Sequence, residues 1–351
     1  MLDAWGPGNS RASSGGETRI MRGTYGPDQP YTETAARALK LWQKYERRWQ
    51  QQFLHRTGVL WMVSSRDDAY ERGSLAMLRQ AQIKFQELST PEMKRRWPQI
   101  NFTDVHWGIY EPECGYLDAR ASCQAVVDAF VDQGGTYRQL AVLSDGLESG
   151  TLRSLTLSDG SRLKADHYAF ACGPWLGKLF RETLGDVIRP TKQDIFFFGT
   201  PPGDPRFTDA HLPVWGDHNK RFFYGIPGSD RRGFKVADDT RGGAFDPTSG
   251  ERVVSQATLK RVREYIAFRF PAMKDAPLIE IRVCPYEQTP DGNFIVDRHP
   301  RMENVWLLGG GSGHGFKHGP ALGEIMADLI LKDGDADAVW LLSRFPMRRK
   351  R

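Results

Sequence analysis

The run NVWLLGGGSGHGFKHGPALGEIMADLIL, residues 304–331, constrains the fold of this chain more than any other. Val305 to Leu308 are continuously apolar, as in a buried strand, and Leu322, Ile325, Met326, Leu329 and Ile330 recur at helical spacing. Strand, glycine-rich loop and helix in that order form a unit of α/β folds. The amides that open such a helix can face an anion or a developing negative charge. The loop has no GxGxxG register, and no other part of the chain has one. Taken alone it reads equally as a tight turn or as a site.

With 351 residues the chain can bury a large core, which favours two domains or an interleaved pair. Its composition is 40% hydrophobic and 26% charged, that of a soluble globular protein. The net charge of +5 lies almost wholly in Arg348, Arg349, Lys350 and Arg351. The body is therefore near neutral, and nucleic acid is not an expected partner. The 4 cysteines show no CxxC spacing and the 8 histidines no ligand pattern, so neither a zinc site nor a disulfide framework is expected. With no run of about 18 apolar residues and no basic-then-apolar start, the expectation is a soluble, cytoplasmic protein.

From Tyr31 to Phe53, Ala35, Ala38, Trp42, Tyr45, Trp49 and Phe53 step by three and four, predicting one amphipathic helix with its aromatic stripe on the core. Thr57 to Val63 predicts a strand. A second helix follows with Leu75, Leu78, Phe85 and Leu88 on one side. Thr90 reads as an N-cap with Pro91 opening a short helix that ends near Trp97. Residues 115–135 read as strand end, helix and a Gly134-Gly135 stop, and residues 136–172 as a small β-meander around the Asp159-Gly160 hairpin signal. The middle third is strand-rich, a helix spans Ser255 to Phe268, and two strand-like runs follow between 277 and 297.

Single residues say little in isolation. Lys235, between apolar Phe234 and Val236, reads as a lysine on the opposite, exposed face of a strand. Cys284 reads as a buried inert thiol. Arg19 and Arg22 read as solvated charges.

Together, however, GETRIMRGTYG, TGVLWM, KRRWPQI, YEPECGYLD, FYGIPG, GFKVADD, VCPYEQTPDGNFIVD and GGSGHGFKHGPALGE occur in the order of one flavoprotein family. The chain resembles the monomeric sarcosine oxidase and N-methyltryptophan oxidase family of FAD-dependent amine oxidases, from about Asp3 to the last helix. That resemblance implies a mixed α/β fold of the glutathione-reductase and D-amino-acid-oxidase type. A Rossmann-like FAD domain would take residues 1–58, 118–186 and 285–345, a mixed β-sheet substrate domain 59–117 and 187–284, and a basic tail 346–351.

It further implies oxidation of the C–N bond of a secondary amino acid, N-methyl or cyclic, to an imine, with dioxygen reduced to hydrogen peroxide. By the resemblance the cofactor would be FAD, held covalently through Cys284, with Lys235 assisting dioxygen. Arg22 and Lys317 clamp the substrate carboxylate, and His314, Tyr224 and Asp239 line the substrate pocket. FAD contacts fall at Asp3, Ser13, Thr18, Arg19, Gly173, Gly313, Gly315, Phe316 and Lys317. Asp239 stands where sarcosine oxidases carry histidine, and Ser14 and Gly15 where close relatives carry a histidine pair. The expected partners are an amino acid and dioxygen, with no membrane, and the expected state is monomeric.

In that family Asp3 would end the second strand and bind the adenosine ribose. Roughly 30 preceding residues, a strand, a GxGxxG turn and its helix, have no counterpart in this sequence, which reads as an internal start. The alternatives are a flavin dehydrogenase with another electron acceptor and a flavin-free binding module.

Overall fold

A computed structural model describes residues 1–332 except 146, 148–149 and 229–231. The expected basic tail lies outside the described residues.

The largest element is an eight-stranded sheet. Its strands run in the order Leu278–Gln288, Arg189–Phe198, Phe234–Asp238, Phe222–Ile226, Val214–His218, Val59–Val63, Trp107–Glu111 and Gln86–Ser89. Neighbours are antiparallel except for Val214–His218 beside Val59–Val63. The run Ile195, Phe196, Phe197, Phe198 shows why the sheet has two different faces. Phe196 and Phe198 join Phe234, Val236 and Val283 in one core, while Ile195 and Phe197 turn to the other side with Cys284.

Register then carries chemistry to that second face. Phe197 pairs with Lys235, Ile226 with Lys235, Tyr224 with Ala237, and Gln193 with Cys284. Directly paired residues share a face and so do residues two apart, so Tyr224, Lys235, Asp239, Cys284 and Tyr286 project together.

A second, three-stranded sheet joins Thr18–Met21, Gly115–Asp118 and Leu54–His55. A third joins Ile295–Arg298, Val305–Gly309 and Tyr168–Phe170, the last pair parallel. The helix Gly319–Leu331 follows the glycine-rich loop, as its spacing predicts, and is bridged to the long helix Gln29–Trp49 by Arg37 and Glu324 at 2.8 Å.

Several boundaries differ from the sequence reading. The first helix stops at Trp49, where Gln50 turns left-handed (φ 53), and Phe53 packs back on Trp42 and Trp49 from the following segment. The second helix, Ala69–Gln80, stops before Gln82 (φ 58), so Phe85 lies beyond it and Leu88 belongs to a strand. Ser89 rather than Thr90 caps the third helix: its N–H and Oγ reach Glu92 at 2.8 and 2.6 Å, while Thr90 donates to the Val105 carbonyl at 2.7 Å. The meander forms only in part. Leu155–Thr156 pairs with Arg162–Leu163 across Gly160 (φ 80), but Tyr168–Phe170 leaves to bury Tyr168 and Phe170 against Val305 and Leu307.

One buried ion network pins the helix Gln256–Arg269 against the large sheet. Arg269, 1% exposed, bonds Asp217 at 2.8 Å through Nε and Asp104 at 2.8 Å through Nη1. Burial pushes the Asp217 carboxyl up even beside that guanidinium.

Candidate active site

The chemically equipped face of the large sheet looks onto one cavity of about 1720 Å³. That exceeds the roughly 300–1,000 Å³ of a site for one small ligand. Every residue expected at the site lines it: Lys235, Arg22, Lys317, His314, Tyr224, Asp239, Cys284, Asp3, Ser13, Thr18, Arg19, Gly173, Gly313, Gly315 and Phe316. Three elements supply most of them, namely the sheet face, the strand Thr18–Met21 with the turn after it, and the loop from Gly309 to the short turn Phe316–His318.

Lys235 is not a surface lysine. It is 4% exposed, and its ammonium donates to the Thr18 carbonyl at 3.0 Å and to Thr18 Oγ1 at 3.3 Å. Burial, aided by nearby Arg19, brings its pKa down to about 7. Arg19 is equally engaged. Its guanidinium donates to the Thr18 carbonyl at 2.7 Å and to the Ser13 carbonyl, and comes within 3.7 Å of Cys284 Sγ. Cys284 therefore lies beside a fixed positive charge, with its sulfur 3.5 Å from the Ser13 carbonyl.

Arg22 sits over the rings of Tyr25 at 4.3 Å and Trp61 at 5.0 Å, and its Nη1 is enclosed without a hydrogen-bond partner. An enclosed guanidinium N–H without an acceptor is costly, which marks a place for a ligand oxygen. Behind it, fully buried Glu111 accepts from the amides of Gly23 and Thr24 at 2.6 and 3.2 Å and fixes the turn.

Lys317 donates to Tyr25 Oη and to the His314 carbonyl, both at 2.9 Å. Burial and then Arg22 hold its pKa well below the ordinary lysine value. His314 is kept neutral, its pKa lowered to about 3 by burial and Lys317, and Nε2 faces the Gly292 carbonyl at 3.2 Å. Gly313 adopts φ 86, and a Cβ there would meet the Tyr286 ring at 2.4 Å, so the loop passes the ring only as glycine.

On the sheet side, the hydroxyls of Tyr224 and Tyr286 are 3.2 Å apart, and Tyr286 reaches Asp239 Oδ1 at 3.4 Å. Burial raises the Asp239 carboxyl to about 6. Asp3 also lines the cavity, and its Oδ1 accepts from the amides of Trp5 and Gly6 at 2.9 and 3.0 Å.

Four site residues were not singled out from the sequence. Tyr286 was legible, since it stands two residues after Cys284 in an alternating strand and must share its face. Tyr25 in GETRIMRGTYG and Glu111 in YEPECGYLD carry no signal of their own before the turn is seen. Glu287 lines the same cavity, accepts from the Gly310 amide at 3.3 Å, and is raised to about 7 by burial. Nothing in an alternating strand announces it.

A large, mostly apolar cavity with Cys284 beside the Arg19 guanidinium, an unpartnered N–H on Arg22, and a loop that passes Tyr286 only as glycine suits a dinucleotide with a planar ring system better than a small metabolite alone. Comparison with known proteins agrees. The model of the FAD dependent oxidoreductase family, DAO, matches residues 1–329. The chain belongs to this family. The monomeric sarcosine oxidase of Bacillus sp. strain NS-129 is 26% identical over 337 residues, covering 94% of this chain and 85% of that protein. The human peroxisomal sarcosine oxidase is 26% identical over 347 residues, covering 96% and 87%. Among solved structures, the L-proline dehydrogenase of P. horikoshii superposes with a TM-score of 0.82 at 19% identity, over 96% of this chain and 89% of that one. The mixed α/β fold is thus the DAO fold, and the chain is an FAD-dependent oxidoreductase. Among the described residues no helix is long and apolar enough to cross a membrane, and no side-chain group is arranged to hold a metal.

Proposed function

We propose that this DAO-family member oxidises the C–N bond of an amino acid with a secondary nitrogen, N-methyl or cyclic, to an imine, and that dioxygen is reduced to hydrogen peroxide. The observation that carries this reading is the pairing of Arg22, with its unpartnered Nη1, and Lys317 in the same cavity as Cys284, Arg19 and Lys235. FAD supplies a two-electron acceptor there when bound.

Arg22 and Lys317 bind the carboxylate, and a clamp at one end orients the nitrogen and its neighbouring carbon. Tyr224, Tyr286, His314 and Asp239 wall the space beyond, with His314 neutral and so adding no further cation beside Arg22 and Lys317. Arg19, Ser13, Thr18, Gly173, Asp3, Gly313, Gly315 and Phe316 are the residues assigned to hold the cofactor, and Cys284 the thiol to bond it covalently. Lys235 holds a proton close to where dioxygen would gain negative charge, which a cation in a poorly solvated site stabilises strongly.

In this reading residues 1–58, 118–186 and 285–345 form the FAD side and 59–117 with 187–284 the substrate side. The eight-stranded sheet, drawn from 59–111 and 189–288, supports grouping 59–117 with 187–284, although its strand Leu278–Gln288 runs across the boundary at 284. The name of the monomeric sarcosine oxidase relative supports a monomer, and four free cysteines are in keeping with a reducing compartment such as the cytoplasm.

The test is to supply N-methyl and cyclic amino acids to the FAD-loaded protein in air and to measure peroxide. Stoichiometric peroxide is expected. No peroxide in air, with turnover appearing only when an artificial electron acceptor is added, would overturn the oxidase half of the reading.

A further inference from the structure

Asp239 is a charged group for which the clamp has no use. It follows Asp238 at the end of the strand Phe234–Asp238, and the pleat turns the two carboxylates to opposite faces. Asp238 is compensated: Arg261 lies at 3.0 Å, Arg221 at 3.6 Å, and the Thr240 amide donates at 3.0 Å. Asp239 makes no ion pair among the described residues, and its one side-chain hydrogen bond is the long one from Tyr286 at 3.4 Å. It is half-buried and lines the cavity.

Arg22 and Lys317 line the same cavity, close enough for their charges to be felt by Asp239, yet neither touches it. Arg241, two residues on, is felt as well, against the like charge of Asp238. When a carboxylate neutralises Arg22 and Lys317, Asp239 keeps the Tyr286 hydrogen bond and the pull of Arg241, and loses that of Arg22. A poorly solvated carboxylate without a counter-ion is expensive, so Asp239 then either takes up a proton or is met by a cation on the same ligand, and a ligand that brings the cation binds more tightly.

We propose that Asp239 is the specificity-determining pole of a two-pole receptor, receiving the positively charged nitrogen of a zwitterionic substrate whose carboxylate lies on Arg22 and Lys317. The inference rests on the carboxylate clamp proposed above and narrows its substrate class. Amino acids whose nitrogen is protonated on arrival are accepted. N-acyl amino acids and plain carboxylates of the same shape are refused, because they leave Asp239 unpaired.

Two ligands of nearly one shape separate the poles: glycine betaine, with a permanent positive nitrogen, and 3,3-dimethylbutanoate, with carbon in its place. Each is titrated by calorimetry into the FAD-loaded full chain. Betaine should bind at least about tenfold more tightly, the factor of one modest ionic contact. Asp239→Asn should bring the two within about twofold of each other, and Asp239→Glu should retain the preference. Equal affinities in the wild type, or a preference that survives Asp239→Asn, would overturn the role of Asp239 and leave the carboxylate clamp standing. Failure of both carboxylates to bind would overturn the clamp and the proposal with it.

Discussion

Lys235 Nζ lies 3.0 Å from the carbonyl oxygen of Thr18, the residue before Arg19. This bond ties the second face of the eight-stranded sheet to the edge strand that aims Arg19 at Cys284. One lysine thus closes the cavity wall and supplies it with a titratable charge.

Replacing Lys235 by Met removes that charge while keeping a long apolar side chain. The rate at which reduced enzyme reacts with dioxygen should fall by about 100-fold or more, the scale of losing one preorganised electrostatic contact. The rate of reduction by substrate should change far less. Stopped-flow measurement of the two half-reactions checks this, and equal losses would speak against a role with dioxygen.

The same lysine makes stability depend on pH. Its pKa falls from the ordinary 10.5 to about 7 in the folded chain. Between those values the unfolded chain holds the proton more often, so stability gained from the neutral form is complete above about 10.5 and is lost as pH falls to about 7. Urea midpoints of the flavin-free protein should therefore rise from pH 7 to 9 more steeply in the wild type than in Lys235→Met. Parallel curves would contradict the assignment.

Cys284→Ala tests the covalent bond. Wild-type flavin should stay with the acid-precipitated pellet, and that of the variant should pass into the supernatant. Yellow colour pelleting with the variant would move the attachment elsewhere.

Arg22→Gln keeps a hydrogen-bond donor and removes the charge from the clamp. Affinity for a carboxylate ligand should drop by about 30-fold to 100-fold, or roughly 2–3 kcal/mol, as expected when one charged hydrogen-bond partner is lost. The loss should be much smaller for the corresponding carboxamide, which titration of both ligands would reveal.

Away from the cavity, Arg269→Leu leaves Asp217 buried beside an apolar chain and should cost about 3–5 kcal/mol in urea unfolding. A loss below about 1 kcal/mol would mean that the network is screened like a surface pair.

How much of this could be read in the sequence depends on how local the cause is. The helix after the glycine-rich loop and the Gly134-Gly135 stop follow from spacing and turn residues, which act over a few positions. The end of the first helix did not follow, because the aromatic period continues past Gln50 and only the left-handed turn there breaks it. Tyr168–Phe170 was misplaced for a non-local reason: its strand partner is 137 residues further on, at Val305. At the site, alternation set Lys235 apart from Phe234 and Val236, but whether that face meets water or a cavity is decided by Thr18, far away in the chain. The charges on Arg19, Arg22 and Lys235 look alike in sequence. Only packing distinguishes a solvated cation from one held beside a thiol.

The most direct test of the central claim is anaerobic. The FAD-loaded protein is mixed with N-methyl and cyclic amino acids in the absence of oxygen while the visible flavin band is followed. The band should bleach with at least one of these zwitterions, and return with peroxide when air is admitted. A band that persists through the whole panel would contradict amino-acid C–N oxidation at this site.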